Sequence, residues 1–291
     1  MAEVVSHYDA SAPTYTQQYD ESQILTSSEY PSNFFRLKMI KDRVAKLGIT
    51  SVYELGIGDG TPLSTLGEMG LRVGGSDLSP GMLEVAKAQF VAKGLDPDVL
   101  TFGDIQDSAT LDDAVRTGPY DAVMALGVLP HVQDEATVIA NMSRFIPSGG
   151  TLFLQFRNSM MSLWSFNRLT MEFIQDELLA GVPDEIKQTV AAGLEPRLAM
   201  DMPPRKTGTP DAPAYDEILA KFHNPFELSD LVASQGFTDL RFHWHNYHVT
   251  PPMLASSAGH AFRTAGIALE GTDGWQGMFL CSSGVIEATK V

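Results

Sequence analysis

The sequence predicts an α/β protein built on a mostly parallel β-sheet. Between about residues 50 and 156, short runs rich in β-branched and aromatic residues alternate with segments of helical spacing. This pattern is typical of strands joined by crossover helices. The first run leads directly into the glycine-rich segment VYELGIGDGTP at 52–62, which predicts a ligand site at the carboxyl edge of the sheet.

The elements of the sheet can be assigned in order along the chain. Segment 33–48 has the apolar spacing of an amphipathic helix, and Gly48 ends it. Five strands follow, SVYELG, LRVGGSD, VLTFGD, YDAVMAL and TLFLQF, which begin at residues 51, 71, 99, 120 and 151. After the second strand, Ser79 as N-cap and Pro80 at the first helical position predict the start of a helix.

The pattern changes after the fifth strand. Residues 158–222 contain helical pieces and then a proline-rich stretch, which predicts an insertion over the sheet edge with a mobile loop at about 201–213. Regular structure returns with a helix in NPFELSDLVASQGF, a strand in TDLRFHWHNYHV and a closing strand in GMFLCSSGVIEATK at 277–290.

Bulk composition restricts the class of partner. The chain has 291 residues, 44% of them hydrophobic, and suits one large domain with an insertion. The net charge of −16 opposes nucleic acids and anionic membranes, so we expect a small-molecule partner, while a homodimer stays open. The single cysteine, Cys281, the absence of signal-peptide features and the lack of a long apolar run predict a cytoplasmic protein.

The glycine turn differs from a dinucleotide fingerprint. Its glycines are Gly56, Gly58 and Gly60, and Thr61 stands where the last glycine of that fingerprint would be. Glu54 precedes the turn. Because a desolvated carboxylate is unfavourable beside a pyrophosphate and favourable beside an ammonium or sulfonium, the turn suits a cationic ligand.

Acids at the next two strand ends indicate the rest of the ligand. Asp77 closes the second strand, about 20 residues after the glycine turn, where a carboxylate can bind both hydroxyls of a ribose. Asp104 closes the third strand within reach of the exocyclic amine of an adenine, and Ile105 could pack on the ring. A ribose, an adenine and a positive charge without a required phosphate describe S-adenosylmethionine.

These motifs together resemble those of class I S-adenosylmethionine-dependent methyltransferases of the small-molecule type. The resemblance covers the Glu54 to Gly60 series, Asp77, the Gly103–Asp104 pair, the fourth strand and the IPSGGTLFLQF turn. It implies a Rossmann-like seven-stranded, mostly parallel sheet with the last strand antiparallel, plus a helical insertion that acts as a lid. The implied regions are an N-terminal helical lid at 1–50, the cofactor half at 51–157, the acceptor lid at 158–222 and the rest of the sheet at 223–291.

The resemblance also implies a set of cofactor-binding residues. Gly56 and Gly58 would flank the methionine portion, and Leu126 and Gly127 would line the floor. Tyr8 and Tyr15 would cover the cofactor, and Arg36 would reach the methionine carboxylate, although the helical spacing of the tyrosines also suits plain packing. The full set is Tyr8, Tyr15, Arg36, Glu54, Gly56, Gly58, Asp77, Leu78, Met82, Asp104, Ile105, Leu126 and Gly127.

Candidate catalytic groups are histidines. His131 follows the fourth strand and could be a general base or could fix the loop by binding a backbone carbonyl. In HWHNYH, strand alternation places His243, His245 and Tyr247 on one side, as a polar strip for substrate or as ordinary strand polarity. An H-x-H pair can bind zinc, but no third ligand is evident in the sequence, and we predict no metal.

The remaining acceptor candidates lie after the fifth strand. Arg157 and Asn158 end that strand at the ligand edge, so they could contact substrate or anchor the insertion. Trp164 could form an apolar acceptor lid or pack in the core. With Tyr247, these residues complete the predicted acceptor site.

The function predicted is methyl transfer from S-adenosylmethionine to an oxygen or nitrogen of a small molecule, such as a sugar, an amine or a natural-product intermediate. A non-catalytic protein that binds the cofactor is an alternative from another class. A nicotinamide-dependent oxidoreductase is a third candidate, which Glu54 and Thr61 oppose. RNA and protein methyltransferases fit the net charge poorly, and an aminopropyl transferase would require further acids near the sulfonium.

Overall fold

The computed structural model describes residues 2–15, 19, 21, 31–198, 207–209 and 211–291. Residues 201–206 and 210 of the loop expected at 201–213 lie outside the described part of the chain. The strands are β1 Ser51–Leu55, β2 Arg72–Asp77, β3 Leu100–Phe102, β4 Ala122–Ala125, β5 Thr151–Arg157, β6 Phe237–Tyr247 and β7 Cys281–Lys290.

Helices cover both faces of the sheet. The α-helices are α1 Ala2–Tyr15, α2 Ser32–Leu47, α3 Thr61–Glu68, α4 Pro80–Ala92, α5 Asp112–Val115, α6 Glu135–Ser143, α7 Ser162–Ser165, α8 Arg168–Phe173, α9 Asp184–Leu194, α10 Pro225–Ser234, α11 Ala255–Leu269 and α12 Gly277–Leu280. A π-helical turn spans Ile174–Leu178, and 3-10 turns span Pro97–Val99, Ser108–Leu111, Leu129–His131, Ser159–Met161, Glu195–Arg197, Tyr215–Glu217 and Pro252–Leu254. Among the residues described, no helix is both long and apolar enough to cross a bilayer.

The strands form a seven-stranded sheet in the order β3-β2-β1-β4-β5-β7-β6. Strands β1 to β5 run parallel to one another, and β7 runs antiparallel to both β5 and β6, between which it lies. The sheet confirms the predicted Rossmann-like fold with an antiparallel last strand. The strand order reverses between β1 and β4, so their carboxyl ends open the crevice in which such sheets bind ligands.

Two apolar clusters hold the helices against the sheet. On one face, α6 and α10 bury Ile139 and Val232 against the strands. On the other face, α2, α3 and α4 bury Ile40, Leu66 and Phe90. Because both faces are covered, β1 is buried along its whole length, including its polar residues Ser51 and Glu54.

The predicted helix boundaries follow from local chemistry. Ser79 accepts a hydrogen bond from the amide of Met82 at 3.0 Å, and Pro80 occupies the first turn of α4, as predicted. Gly48 ends α2 in the left-handed conformation at φ 66°. These contacts lie within a few residues, so the sequence specifies them directly.

The helical part of 158–222 is divided into several short helices, of which α7 and α8 are the first two. Phe166 at φ 47° ends α7, and Asn167 then caps α8 by accepting from the amide of Leu169 at 2.9 Å. Thr170 completes a capping box with Asn167, which fixes the new helix direction.

The predicted closing strand at 277–290 is wrong over its first four residues. Gly277–Leu280 form the short helix α12, and β7 begins at Cys281. Gly277 packs so closely on the Trp244 indole that a β-carbon there would lie 2.3 Å from Cγ of the ring. This close approach requires glycine, and the apolar pattern of 277–280 does not distinguish such a turn from a strand.

Candidate functional site

A cavity opens at the carboxyl ends of β1 to β4, with a volume of about 830 Å³ including its open mouth. All but one of the predicted cofactor-binding residues line it. They are Tyr8, Tyr15, Glu54, Gly56, Gly58, Asp77, Leu78, Met82, Asp104, Ile105, Leu126 and Gly127. His131 also lines the cavity. The exception, Arg36, lies just behind Gly127.

The glycine turn brings the backbone to the cavity wall. Gly56 has φ 75°, and a β-carbon there would lie 2.3 Å from Cγ2 of Val128. Gly58 has φ 54°, and among the described residues a β-carbon there would meet only the Tyr15 ring, at 3.9 Å. Gly56 therefore permits close packing of β1 against the loop after β4, whereas Gly58 leaves free space on the cavity side.

Asp77 is fixed at the end of β2 by two backbone amides. Its Oδ2 accepts from Gly58 N, and its Oδ1 accepts from Ser79 N, both at 2.8 Å. Burial raises the pKa of Asp77 to about 6, and the backbone hydrogen bonds oppose that rise. Each carboxylate oxygen keeps a second lone pair, so Asp77 can accept from two hydroxyls of a ligand in the cavity.

Glu54 lines the cavity, and the charge of Arg36 acts on it from behind the cavity wall. Glu54 is 1% exposed, and within the described residues its Oε2 has no hydrogen-bond partner. Burial raises the pKa of Glu54 well above its usual value, while Arg36 lowers it. Arg36 donates to Oε1 of Gln155 at 2.7 Å and to the Tyr19 hydroxyl at 3.0 Å.

The guanidinium of Arg36 also has an unused donor. Its Nε is buried without a hydrogen-bond partner among the residues described, and its Nη1 lies 3.5 Å from the position of a β-carbon on Gly127. Glu54 thus presents an unpaired carboxylate oxygen at the cavity and Arg36 places an unpaired guanidinium nitrogen behind its wall, a combination that would suit a ligand with an ammonium and a carboxylate. The methionine portion of S-adenosylmethionine carries both groups.

Asp104 and Ile105 form the wall beyond β3. Asp104 accepts from the amide of Gln106 at 2.9 Å through Oδ1, which orients the carboxylate. The Ile105 carbonyl accepts from the side chain of Asn141 at 2.8 Å. An acid and an apolar side chain are thus held side by side, as an adenine site requires.

Asp59 is not among the described residues that line the cavity, although the sequence placed it at the same turn. Its carboxylate accepts from the amide of Thr61 at 3.1 Å and from the Thr61 hydroxyl at 2.7 Å. Asp59 thus stabilises the start of α3. A polar residue two positions downstream was the available signal for this local turn.

The N-terminal helix α1 covers the cavity. Tyr8 and Tyr15 of this helix line the cavity, as predicted. Val4 and Val5 line it too, and they were not predicted from the sequence. Val4 and Tyr8 are four residues apart on one helix face, a spacing that could have identified them. Asp9, which was not predicted from the sequence, fastens α1 to the start of α4, because its Oδ1 accepts from Gly81 N at 3.0 Å and from the Ser79 hydroxyl.

His131 connects the cavity to the segment before β6. Its Nδ1 lies 2.5 Å from the carbonyl oxygen of Leu219, and its Nε2 lies 2.9 Å from the Tyr8 hydroxyl. Because a carbonyl only accepts, Nδ1 carries the proton and Nε2 accepts from Tyr8. Burial lowers the pKa of His131, so the ring is neutral near pH 7. His131 therefore makes the predicted carbonyl contact and also presents a basic nitrogen at the cavity.

His243 belongs to a buried ion-pair network. Its Nε2 lies 3.0 Å from Glu287 and its Nδ1 lies 3.1 Å from Asp273. Burial lowers the pKa of His243, but the two carboxylates raise it above the usual value. Arg43 of α2 donates to both oxygens of Glu287, at 2.5 and 2.6 Å. The network joins α2 to β6 and β7, and His243 is not one of the described residues of the cavity wall.

The other two residues of the predicted polar strip, His245 and Tyr247, also form hydrogen bonds to other residues of the protein. His245 is 1% exposed, and its Nδ1 lies 3.3 Å from the Ser32 hydroxyl. Burial and the charge of Arg36 lower the pKa of His245 to about 3. The Tyr247 hydroxyl donates to the carbonyl oxygen of Thr272 at 2.6 Å. Neither His245 nor Tyr247 lines the described cavity.

Asn158 and Trp164 fasten neighbouring segments together. The Asn158 amide donates to the carbonyl oxygens of Met278 at 2.7 Å and Cys281 at 2.8 Å, which anchors α12 to the end of β5. The Trp164 indole donates to the carbonyl oxygen of His248 at 3.0 Å. These contacts place both side chains outside the described cavity wall, and their roles toward an acceptor stay predictions.

Arg157 occupies a different environment. Its guanidinium carbon lies 3.8 Å from the centre of the Phe222 ring and 5.6 Å from that of Tyr215, and Nη1 donates to the carbonyl oxygen of Ala220 at 3.2 Å. Arg157 lowers the pKa of His131, after the larger effect of burial, so its charge acts close to the cavity. The structure thus brings the cofactor set and His131 to one cavity, with Arg157 behind it.

Comparison with known proteins agrees with this geometry. Residues 53–154 match the family described as "Methyltransferase domain". The chain is 26% identical over 155 residues to "Ubiquinone biosynthesis O-methyltransferase" of Proteus mirabilis, covering 53% of this chain and 61% of that protein. It is 29% identical to the protein of the same name from Nitrosomonas europaea, covering 53% of this chain and 64% of that protein. The chain therefore spans less than two thirds of the length of these relatives.

A solved structure from Thermotoga maritima shares the fold over nearly the whole chain. That protein, "SAM-dependent methyltransferase, possible histamine N-methyltransferase", superimposes with a TM-score of 0.54 at 14% identity and covers 98% of each chain. At this identity the likeness shows the fold alone. Over residues 53–154 the chain thus matches the family described as "Methyltransferase domain", and its fold is that of the solved structure.

Proposed function

We propose that the protein transfers a methyl group from S-adenosylmethionine to an oxygen or nitrogen atom of a small molecule. The observation that carries this proposal is the pair of buried acids in the cavity, Asp77 held by two backbone amides and Glu54 with an unpaired oxygen. Buried carboxylates beside a glycine turn favour a cationic nucleoside over a pyrophosphate. The relatives named as O-methyltransferases support an oxygen acceptor.

The chain's own residues mainly bind and orient. When bound, S-adenosylmethionine would supply an electrophilic methyl group on a sulfonium, and transfer of that group to the acceptor would break the carbon–sulfur bond and leave S-adenosylhomocysteine. Asp77 would hold the ribose, Asp104 and Ile105 the adenine, and Glu54 with Arg36 the methionine amine and carboxylate. Val4, Val5 and the tyrosines of α1 would exclude water from the reacting groups.

His131 is the proposed base for a hydroxyl acceptor. Its Nε2 accepts from the Tyr8 hydroxyl, so an acceptor hydroxyl that replaces Tyr8 there can give its proton to His131. The lowered pKa of His131 leaves the ring neutral and able to accept that proton at neutral pH. Burial raises the pKa of Tyr8 well above its usual value, so Tyr8 acts as a hydrogen-bond donor. An amine acceptor that arrives unprotonated does not need this base.

We also propose that the regions outside the cofactor half select the acceptor. Segments 1–50 and 158–222 would act as lids, and 223–291 would complete the sheet and the acceptor side. A small molecule is the proposed partner in preference to a nucleic acid, because the net charge of −16 repels a polyanion.

The test combines binding with turnover. Calorimetry with S-adenosylmethionine, S-adenosylhomocysteine and NAD should show binding of the first two and none of the third. Transfer of a labelled methyl group would then be measured on a panel of phenols, sugars and amines. Cofactor binding with no transfer to any acceptor of the panel would favour the non-catalytic alternative. NAD binding without S-adenosylhomocysteine binding would contradict the proposal.

A further inference from the structure

Arg157 is a half-buried cation at the carboxyl end of β5, and among the described residues it forms no ion pair with a carboxylate. Its guanidinium rests on the Phe222 ring, and one nitrogen donates to the Ala220 carbonyl oxygen. A guanidinium has five N–H donors, so this contact leaves most of its donor capacity for another group. A partly desolvated charge is unfavourable until an opposite charge joins it.

The carboxylate of Glu135, which lies nearby, is already paired with other side chains. Lys221 pairs with Glu135, and His223 Nε2 lies 3.3 Å from the same carboxylate oxygen. Burial lowers the pKa of His223 to about 4, and His131 is also neutral near pH 7. The group formed by Arg157, Lys221, Glu135 and the two histidines therefore keeps one net positive charge.

This charge lies one aromatic ring away from the cavity. The Tyr215 ring centre is 5.7 Å from that of His131, which lines the cavity, and the Arg157 guanidinium is 5.6 Å from the Tyr215 ring centre. Tyr215 itself is 37% exposed and sits on a short 3-10 turn. A substituent that ran from His131 to Arg157 would therefore have to pass along or displace the Tyr215 ring.

We propose that Arg157 anchors a single carboxylate of the acceptor, so that the molecule methylated at the cavity is an organic acid. This proposal rests on the proposed function, because it concerns the acceptor of the same site. The planar guanidinium matches a carboxylate with two parallel hydrogen bonds. One net positive charge suits a monoanion better than a phosphate dianion.

The negative overall charge of the protein opposes the binding of an acid, so the local positive charge at Arg157 has to overcome it. At −16, the long-range field repels an acid, so only a nearby uncompensated cation makes acid binding favourable. Added salt screens the distant repulsion more than the short-range contact. The association rate of an acidic acceptor should therefore rise with ionic strength. If the long-range field of the protein attracted the acid, the association rate would fall with ionic strength.

The experiment compares acids with their uncharged amides. Benzoate and benzamide, and 3,4-dihydroxybenzoate and its amide, would be titrated into the full-length protein saturated with S-adenosylhomocysteine. Wild type should bind at least one acid about tenfold or more tightly than its amide, the range of a charge-assisted hydrogen bond. Arg157→Gln should abolish that preference, and Arg157→Lys should retain part of it. Arg116→Gln, at an exposed ion pair outside the cavity wall, is the matched control.

The affinity for S-adenosylhomocysteine and the thermal melt are measured for every variant, so a folding defect is separated from loss of the anchor. Equal binding of acids and amides, no acid binding by wild type, or an acid preference that persists in Arg157→Gln would overturn the proposal while leaving the cofactor assignment intact. Failure of wild type to bind S-adenosylhomocysteine would overturn the proposed function and this inference with it.

Discussion

Protonation of Asp77 should weaken cofactor binding below pH 6. Burial raises the pKa of Asp77 to about 6 in the ligand-free protein. Ribose hydroxyls donate to the ionised carboxylate, so a bound ligand favours the ionised form and affinity falls as the pH falls through 6. With a pKa of about 6, the ionised fraction drops about tenfold between pH 7 and pH 5, and the Kd should rise by about the same factor.

The carboxamide Asp77→Asn separates this effect from other titrations. Its nitrogen would face the amide of Gly58 or that of Ser79, donor against donor, where Asp77 accepts from both at 2.8 Å. We expect a loss of about 1–3 kcal/mol of cofactor affinity at pH 7. The Kd of the variant should lack the tenfold rise between pH 7 and pH 5 that Asp77 causes in wild type. Any pH dependence of the Kd that arises from Glu54 should remain in both proteins.

Calorimetric titration with S-adenosylhomocysteine at half-unit intervals from pH 5 to 7.5 measures both quantities. Asp134→Asn is the matched control, because Asp134 also accepts from backbone amides but caps α6 outside the described cavity wall. A wild-type Kd that stays constant across this range, or an Asp77→Asn Kd equal to that of wild type, would refute the ribose assignment.

The ligand-free protein should show the opposite trend in stability. The folded-state pKa of Asp77 lies about two units above that of an unfolded aspartate, so the ionised side chain costs about 3 kcal/mol of folding free energy. This cost is present above pH 6 and disappears as the pH falls toward 4. In chemical unfolding, wild type should therefore gain stability relative to Asp77→Asn as the pH falls from 7 toward 4, and a constant difference between the two proteins over this range would contradict this cost.

Three further outcomes test the turn, the lid and the base. Gly56→Ala should lower the free energy of unfolding by about 2–4 kcal/mol, because its β-carbon meets Val128. Gly58→Ala should lose cofactor affinity with a smaller loss of stability. Denaturant melts and calorimetry measure both quantities, and a larger loss of stability in Gly58→Ala than in Gly56→Ala would contradict this prediction. Asp9→Ala should release α1 from the start of α4. The N-terminal residues should then be more sensitive to limited proteolysis, and cofactor binding should weaken several-fold. Unchanged proteolysis would show that the Asp9 contact does not hold α1 in place. His131→Asn should reduce kcat for a hydroxyl acceptor by about 10²–10⁴ and leave an amine acceptor nearly unaffected; equal losses for both would indicate a structural role.

The cofactor half could be predicted because its signals are local. Glu54, Asp77 and Asp104 each lie within two residues of the carboxyl end of a strand, and parallel strands bring these ends to one edge whatever the distant packing. The cap at Ser79 and the glycine turn likewise depend on residues a few positions apart. Topology alone thus gathers residues that the sequence identifies one at a time.

The acceptor side could not be predicted in the same way. His243 and His245 alternate on a strand as expected, but their partners, such as Glu287 and Ser32, lie 44 and 213 residues away along the chain. Which helix covers that face decides whether a histidine meets substrate or a buried carboxylate. Tyr8 and His131, which are 123 residues apart, show the same dependence on long-range packing.

The central claim is that the buried carboxylates at the carboxyl edge of the sheet receive a cationic nucleoside and not a dinucleotide. A crystal structure grown with S-adenosylhomocysteine and NAD at equal concentration tests it most directly. We expect the thioether nucleoside in the cavity, with its ribose hydroxyls on Asp77 and its amino group beside Glu54. A nicotinamide dinucleotide in that cavity, with its pyrophosphate on the glycine turn, would contradict the claim.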